Sequence, residues 1–264
     1  MLLTRRVALN GVWLDELDSR IVINGIEPGD GRENIGATDT AGGFGQRITF
    51  NRRSTVDIVV RFSLLQHGKS EAGMIERSQL LERVIAWARP GGYLTLNYKP
   101  DRRLSVVLVQ APGEGSMREF AKEFTLTFRA YTVPFWEQET AQSAQLSGGS
   151  MAGGRLVVVD GSADTQFDAE VVNVSGMTVN DVTINIGNKT MVFSNLGLAG
   201  GEALVVDHLD GLVRIRIRRP GSYRSAMAYR SGADDFLVSP GSQSCTFSAS
   251  RACRVTVSWR ARYL

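Results

Sequence analysis

Strict alternation of apolar and polar residues recurs along this 264-residue chain and constrains its fold more than any other feature. In Asp57-Ile58-Val59-Val60-Arg61-Phe62-Ser63-Leu64 and in Phe124-Thr125-Leu126-Thr127-Phe128-Arg129-Ala130-Tyr131, successive side chains fall on opposite sides, as half-buried strands require. Arg47–Phe50, Tyr93–Tyr98 and Leu104–Val109 read the same way. Turn chemistry separates them at Asn51–Ser54, Pro90-Gly91-Gly92, Lys99-Pro100-Asp101 and Ala111–Gly115. One segment departs from this period. Met74–Ala88 carries Leu80, Leu81, Val84, Ile85, Trp87 and Ala88 at helical spacing, with Glu76, Arg77, Glu82 and Arg83 largely opposite, and Pro90-Gly91 stops it.

A second block contains strand signals alone: Arg155–Val159, Phe167–Val174, Val182–Ile186, Thr190–Phe193, Ala203–Asp207, Leu212–Arg218 and Arg254–Trp259. Short strands at near-regular spacing predict a sandwich. Between the blocks lies Thr140–Gly154, small, polar and glycine-containing, which reads as a flexible linker. The expected organisation is a mainly β protein. Residues 1–140 form a β-sandwich or barrel with one helix, 141–154 a linker, and 155–264 a β-sandwich. Asn24–Gln46 is rich in glycine and reads as a long loop. No Gly-Lys-Ser/Thr lies within it and it does not sit in a strand-loop-helix unit, so phosphate cradling by this segment is not expected.

Charge and composition remove several function classes. The net charge of +3 is small, with basic and acidic residues nearly balanced on both sides of residue 145, unlike a DNA-binding module. No run of eighteen apolar residues spans a bilayer, and Met1–Arg6 lacks the order of a secretory signal, so folding in a cytosol is expected. Cys245 and Cys253 are spaced to face each other across a hairpin near Ala249; in a reducing compartment two thiols are expected, with a bridge left open. His67 and His208 read as exposed turn histidines, and Asp207, Asp210, Asp234 and Asp235 as turn carboxylates. No catalytic triad, nucleophile elbow or zinc set emerges, so no enzyme activity, metal or cofactor is expected. Arg214, Arg216 and Arg218 share one strand face, which is either a solvated outer face or an anionic contact surface.

The order Arg47–Leu64, then the Trp-bearing helix, then Tyr93–Val109, then "KEFTLTFRAYTVPFWEQE" resembles the distal tail (Dit) protein family of siphophages. The second half is similar as well, with its Asp-containing "LVVDHLDG" hairpin and closing "VTVSWRARYL". The resemblance implies a galectin-like C-terminal sandwich and a virion structural role at the distal end of the tail, after assembly in the host cytoplasm. It implies a homohexameric ring joining the tail tube protein to the tail hub or tail-associated protein, with receptor-binding or fibre proteins as further partners. DNA would cross the lumen without specific binding, and nothing would insert into a membrane. On that reading Arg5, Arg6, Gly42, Gly43, Phe44, Arg52 and Arg53 are candidates for the ring and tube interface, and Pro134, Phe135 and Trp136 anchor the exit of domain one. Arg214, Arg216 and Arg218 become outer-face contacts. The alternative is a carbohydrate-binding, galectin-like adhesion module, for which Tyr223, Tyr229, Phe236 and Trp259 are the aromatic candidates.

Overall fold

The computed structural model describes residues 5–29, 31, 33–39, 46–65, 70–112, 123–209 and 211–264, with the backbone alone for most of 33–39 and for 46–52. The chain divides into two compact units, Met1–Trp136 and Glu137–Leu264.

In the first unit the alternating segments form strands as expected. A sheet runs in the order Val12–Trp13, Val7–Leu9, Gly92–Leu96, Lys99–Gln110, Phe124–Ala130, Val56–Leu64, Ile21–Pro28. Val56–Leu64 and Phe124–Ala130 set Ile58 opposite Phe128, Val60 opposite Leu126 and Phe62 opposite Phe124, all buried. The Phe62 and Phe124 rings stack with centroids 5.5 Å apart, an aromatic pair that adds to plain burial.

The helix is Glu71–Ala88, starting three residues before the expected Met74. Ser70 supplies the start signal: its side chain accepts a hydrogen bond from Gly73 N at 3.2 Å, satisfying one of the free amides of the first turn. Leu80, Leu81, Val84 and Ala88 form its buried stripe. Trp87 meets Phe128 edge-on at 6.1 Å and donates Nε1 to Val12 O at 3.1 Å. Gly91 ends the helix with φ +65, where a Cβ would stand 2.6 Å from Val106 O. The position therefore demands glycine.

Lys99-Pro100-Asp101, expected as a turn, instead opens the strand Lys99–Gln110, and the reversal falls at residues 97 and 98. The described residues of the glycine-rich Asn24–Gln46 are also mostly strand. Ile21–Pro28 pairs with Val56–Leu64, and beyond it Glu33–Asp39 pairs with Gln46–Arg53 in a separate two-stranded ladder. The two ladders follow one another along the same two stretches of chain. Glycine weakens strand propensity without forbidding an extended backbone, which is why composition alone misjudged the segment.

The second unit is built on two long strands, Gln142–Val159 and Gly241–Trp259, paired antiparallel along their length. The tract expected as a linker, 141–154, is thus mostly strand, and the unit begins at Glu137. Register shifts fall between Gln145 and Ser147, Gly148 and Ser150, and Ser150 and Ala152. Ser147 Oγ accepts from the amides of Gly149 and Ser150 at 3.0 and 2.8 Å. The small residues are there to bend a strand through bulges, not to leave it unstructured.

On one side of that bend, Arg254–Trp259 pairs with Thr165–Asn173, followed by Ala203–Leu209, Leu212–Arg219 and Ser222–Ser225. On the other, the first half of Gly241–Trp259 pairs with Val182–Ile186, then Lys189–Phe193 and Arg230–Gly232. The inward residues of both sets merge into one core that includes Phe167, Val171, Ile184, Phe193, Phe236 and Phe247. That is a sandwich. Cys245 and Cys253 lie on the same strand, eight positions apart, buried and free, so the hairpin near Ala249 does not exist and the cysteines are not opposed.

Candidate functional site

The polar groups of the second unit concentrate around His208, in Ala203–Leu209. Its side chain is only 10% exposed, contrary to the exposed turn position expected. Nδ1 lies 2.7 Å from Asp168 Oδ1, and Nε2 lies 2.7 Å from Asp235 Oδ1. Two carboxylate acceptors require both ring nitrogens to donate, so the ring is an imidazolium. Burial opposes that charge, but the bonds to Asp168 and Asp235 outweigh it and push the pKa up to about 9. Burial likewise works against the Asp235 carboxylate, yet His208 and Gln166 hold it below its ordinary range. Gln166 Nε2 donates to Asp235 Oδ2 at 2.9 Å, and Gln166 Oε1 accepts from Arg262 Nη2 at 2.6 Å. Arg262, itself buried, closes the chain on Glu137 at 3.2 Å.

This arrangement binds no metal through the ring, because both nitrogens carry protons. Nor is His208 a general base near neutral pH, since it already holds the proton it would need to accept. It is a structural cation. Asp234, beside Asp235, is 91% exposed and pairs with Arg230 at 2.6 Å; the two neighbours therefore have different jobs. His67 and Asp210 fall outside the described residues, as do Gly42, Gly43 and Phe44.

The arginine row faces outward as expected, and each of its members already has a carboxylate partner. Arg214 grips Asp207 through Nε and Nη2 at 3.1 and 2.9 Å, and Arg216 reaches the same carboxylate at 2.6 Å. Arg218 pairs with Glu170 at 2.5 Å. Register explains this, because Asp207 stands directly opposite Arg214 in the ladder. The row is thus an ion-paired outer face in which three guanidiniums share two carboxylates, one positive charge in excess. The aromatic candidates are not gathered into a platform. Phe236 and Trp259 are buried, Trp259 stacking on Phe167 at 4.8 Å. Tyr223 is exposed but has the Arg216 guanidinium 4.4 Å above its ring.

In the first unit Arg5 donates to Ile26 O at 3.3 Å. Arg6 pairs with Asp15 at 2.6 Å and Glu16 at 2.9 Å. The Arg53 guanidinium sits 5.5 Å from the Phe135 ring centroid, and Lys99 Nζ 5.1 Å from that of Trp136, which is buried. Arg52 contributes its backbone to Gln46–Arg53. Sequence reasoning missed the His208 cluster, since Asp168 and Asp235 lie 40 and 27 residues from it. The only local signal was an Asp-His-Leu-Asp string in a hairpin.

No protein-family model matches the chain, and no curated protein matches its sequence. Solved structures do. The crystal structure of the Dit protein of phage SPP1, described as a paradigm of the hub adsorption apparatus of phages infecting Gram-positive hosts, superposes with a TM-score of 0.65 at 14% identity. The alignment covers 98% of this chain and 99% of that one.

The fold is that of a Dit protein.

Two structures of the phage P2 baseplate in its activated conformation, with Ca and with Sr, also align over 98% of this chain, with TM-scores of 0.47 and 0.43 at 7% and 9% identity. At those scores they add nothing to the Dit-like assignment of the fold, which rests on the SPP1 protein and runs through both units.

Proposed function

We propose that this chain is a structural distal tail protein of a siphophage. It forms a homohexameric ring that joins the tail tube to the tail hub, and its second unit serves as a platform for receptor-binding or fibre proteins. The observation that carries this reading is the Dit fold over nearly the whole length of both chains. A fold shared across two successive β units is hard to reach by partial likeness. Supporting it, the described polar cluster is a structural cation network, not a reactive one. In this reading the first unit closes the ring head-to-tail, each subunit offering two different surfaces. Arg5, Arg6, Arg52, Arg53 and the segment holding Gly42, Gly43 and Phe44 contribute to it. The nearly balanced charge suits a lumen that passes DNA without gripping it.

The adhesin alternative loses ground because two of its four aromatics are buried and a third is covered by Arg216. The test is imaging of the phage tail tip and of the purified protein by negative stain. Six-fold rings are expected, and rings should persist at the tail tip when residues 137–264 are deleted. Loss of the ring with the first unit still folded would place the closure surface elsewhere. Absence of the protein from the tail would overturn the reading altogether.

A further inference from the structure

Two asparagines precede a glycine, Asn10 before Gly11 and Asn24 before Gly25. Glycine offers its backbone nitrogen without a side chain beside it, so an Asn-Gly pair is where that nitrogen most readily reaches the asparagine Cγ. The fold treats the two pairs differently. Asn10 and Gly11 are the two-residue turn between Val7–Leu9 and Val12–Trp13, with φ of 52 and 82, the twist that such hairpins favour. The Asn10 side chain is pinned to main chain at both ends. Its Nδ2 donates to Gly91 O at 2.9 Å, and its Oδ1 accepts from Tyr93 N at 2.9 Å. Asn10 N also donates to Tyr93 O at 2.8 Å. The Asn10 Cγ cannot swing towards the Gly11 nitrogen without breaking both side-chain bonds.

The Asn24 side chain has no such anchor on the main chain. It lies in Ile21–Pro28, an edge strand that among the described residues pairs only with Val56–Leu64. Ile23 stands opposite Phe62 and Gly25 opposite Arg61, which leaves Asn24 as the extra residue of a bulge, without a cross-strand partner. The residue is exposed. Its Nδ2 donates to two side chains, Ser63 Oγ at 2.7 Å and Glu123 Oε1 at 3.0 Å. Both bonds face solvent, where water readily takes the place of either partner. A Cβ built at Gly25 would meet nothing within 4 Å, so there is room around the attacking residue.

We propose that Asn24 is a site of spontaneous deamidation in the folded chain, and that Asn10 is protected from it. The Gly25 nitrogen gives up its proton to solvent and bonds to Asn24 Cγ. The bond from Cγ to Nδ2 breaks, and Nδ2 takes up a proton from solvent and leaves as ammonia. The resulting succinimide then adds one water. Opening at Cγ yields aspartate, and opening at the main-chain carbonyl of Asn24 yields isoaspartate. Either product replaces a neutral amide that donates to Glu123 by a carboxylate beside it, and like charges that close repel. Isoaspartate also lengthens the backbone of the edge strand by one carbon. The strand Ile21–Pro28 thus records the age of the molecule, and the first unit loses stability as the change accumulates. The proposal does not rest on the tail reading.

The test is incubation of the folded full chain in mildly alkaline buffer, followed by tryptic peptide mapping with mass spectrometry. Asn10 and Asn24 fall in separate peptides, residues 7–20 and 21–32. A one-dalton gain located at Asn24 by fragmentation should accumulate roughly tenfold faster than one at Asn10, because only Asn10 must first open locally. The two rates should converge when the chain is unfolded in denaturant. Gly25→Ala, which the open space accepts, should slow the gain at Asn24 several-fold while leaving the melting curve nearly unchanged. Asn24→Asp should melt below the unaltered chain, and adding Glu123→Gln should narrow that difference. A gain at Asn10 as fast as at Asn24 in the folded chain would overturn the proposal. So would an Asn24 that stays intact in the folded chain while it converts in the unfolded one. An Asn24→Asp chain as stable as the unaltered one, or one that Glu123→Gln leaves equally weakened, would overturn the repulsion from Glu123.

Discussion

His208 Nε2 stands 2.7 Å from Asp235 Oδ1, while its other nitrogen stands equally close to Asp168. One ring thereby ties the strand Ala203–Leu209 to two other stretches of the sandwich. Replacing His208 by Phe leaves two carboxylates without their shared cation, and the second unit should lose roughly 3 kcal/mol of stability. Chemical denaturation of the two proteins at pH 6 measures the difference; a loss below about 0.5 kcal/mol would show that the contacts contribute little.

The same contact makes stability depend on pH in a defined window. The folded pKa is raised, to about 9 from an ordinary 6.5. The contribution is therefore complete below pH 6.5 and is lost as pH rises from there through about 9. The second unit's melting temperature should fall over this interval in the native chain and stay nearly level in the His208→Phe variant. An imidazole resonance titrating near 6.5 in the folded protein would contradict the clamp.

Gln142–Gly154 should behave as sheet. The amides that face Gly241–Trp259 should exchange slowly, and limited proteolysis should spare the tract. Rapid exchange throughout it, with preferential cleavage between Gln142 and Gly154, would restore the linker expected from its composition.

Cys245 and Cys253 should both be reduced and unreactive. Burial pushes each thiol up to about 11, so little thiolate exists at neutral pH. Alkylation should label neither residue in the folded chain and both after unfolding without reductant. A mass two daltons low would reveal a bridge that the one-strand geometry forbids.

Asp207 is shared by two arginines, and Asp207→Ala should raise the net positive charge of that face by one. Elution from heparin should move to higher salt, with a stability loss of only about 1 kcal/mol because the groups are partly solvated. Unchanged retention would mean that Arg214 and Arg216 had found other partners.

Elements whose energetics are local were legible from the chain itself. Alternation placed Val56–Leu64 and Phe124–Ala130, because each strand buries one face whatever its neighbours are. The helical stripe of Leu80, Leu81, Val84 and Ala88 and the stop at Gly91 were equally plain, since side-chain period and backbone φ belong to the residue. The two-block division and the mainly β class followed from these.

Tertiary structure decided everything that depends on partners far along the chain. Ser147, Gly148 and Ser150 suit a linker or a bulge equally well, and only the pairing with Gly241–Trp259 selects the bulge. Cys245 and Cys253 are equally compatible with a hairpin or a through-strand until Val182–Ile186 and Thr165–Asn173 take up opposite halves of it. His208 is an exposed histidine in sequence and a buried imidazolium in the fold, because Asp168 and Asp235 arrive from strands and turns that no local pattern connects. Local preferences set which face a residue shows. Long-range pairing sets what it meets there, and charge, burial and pKa follow from what it meets.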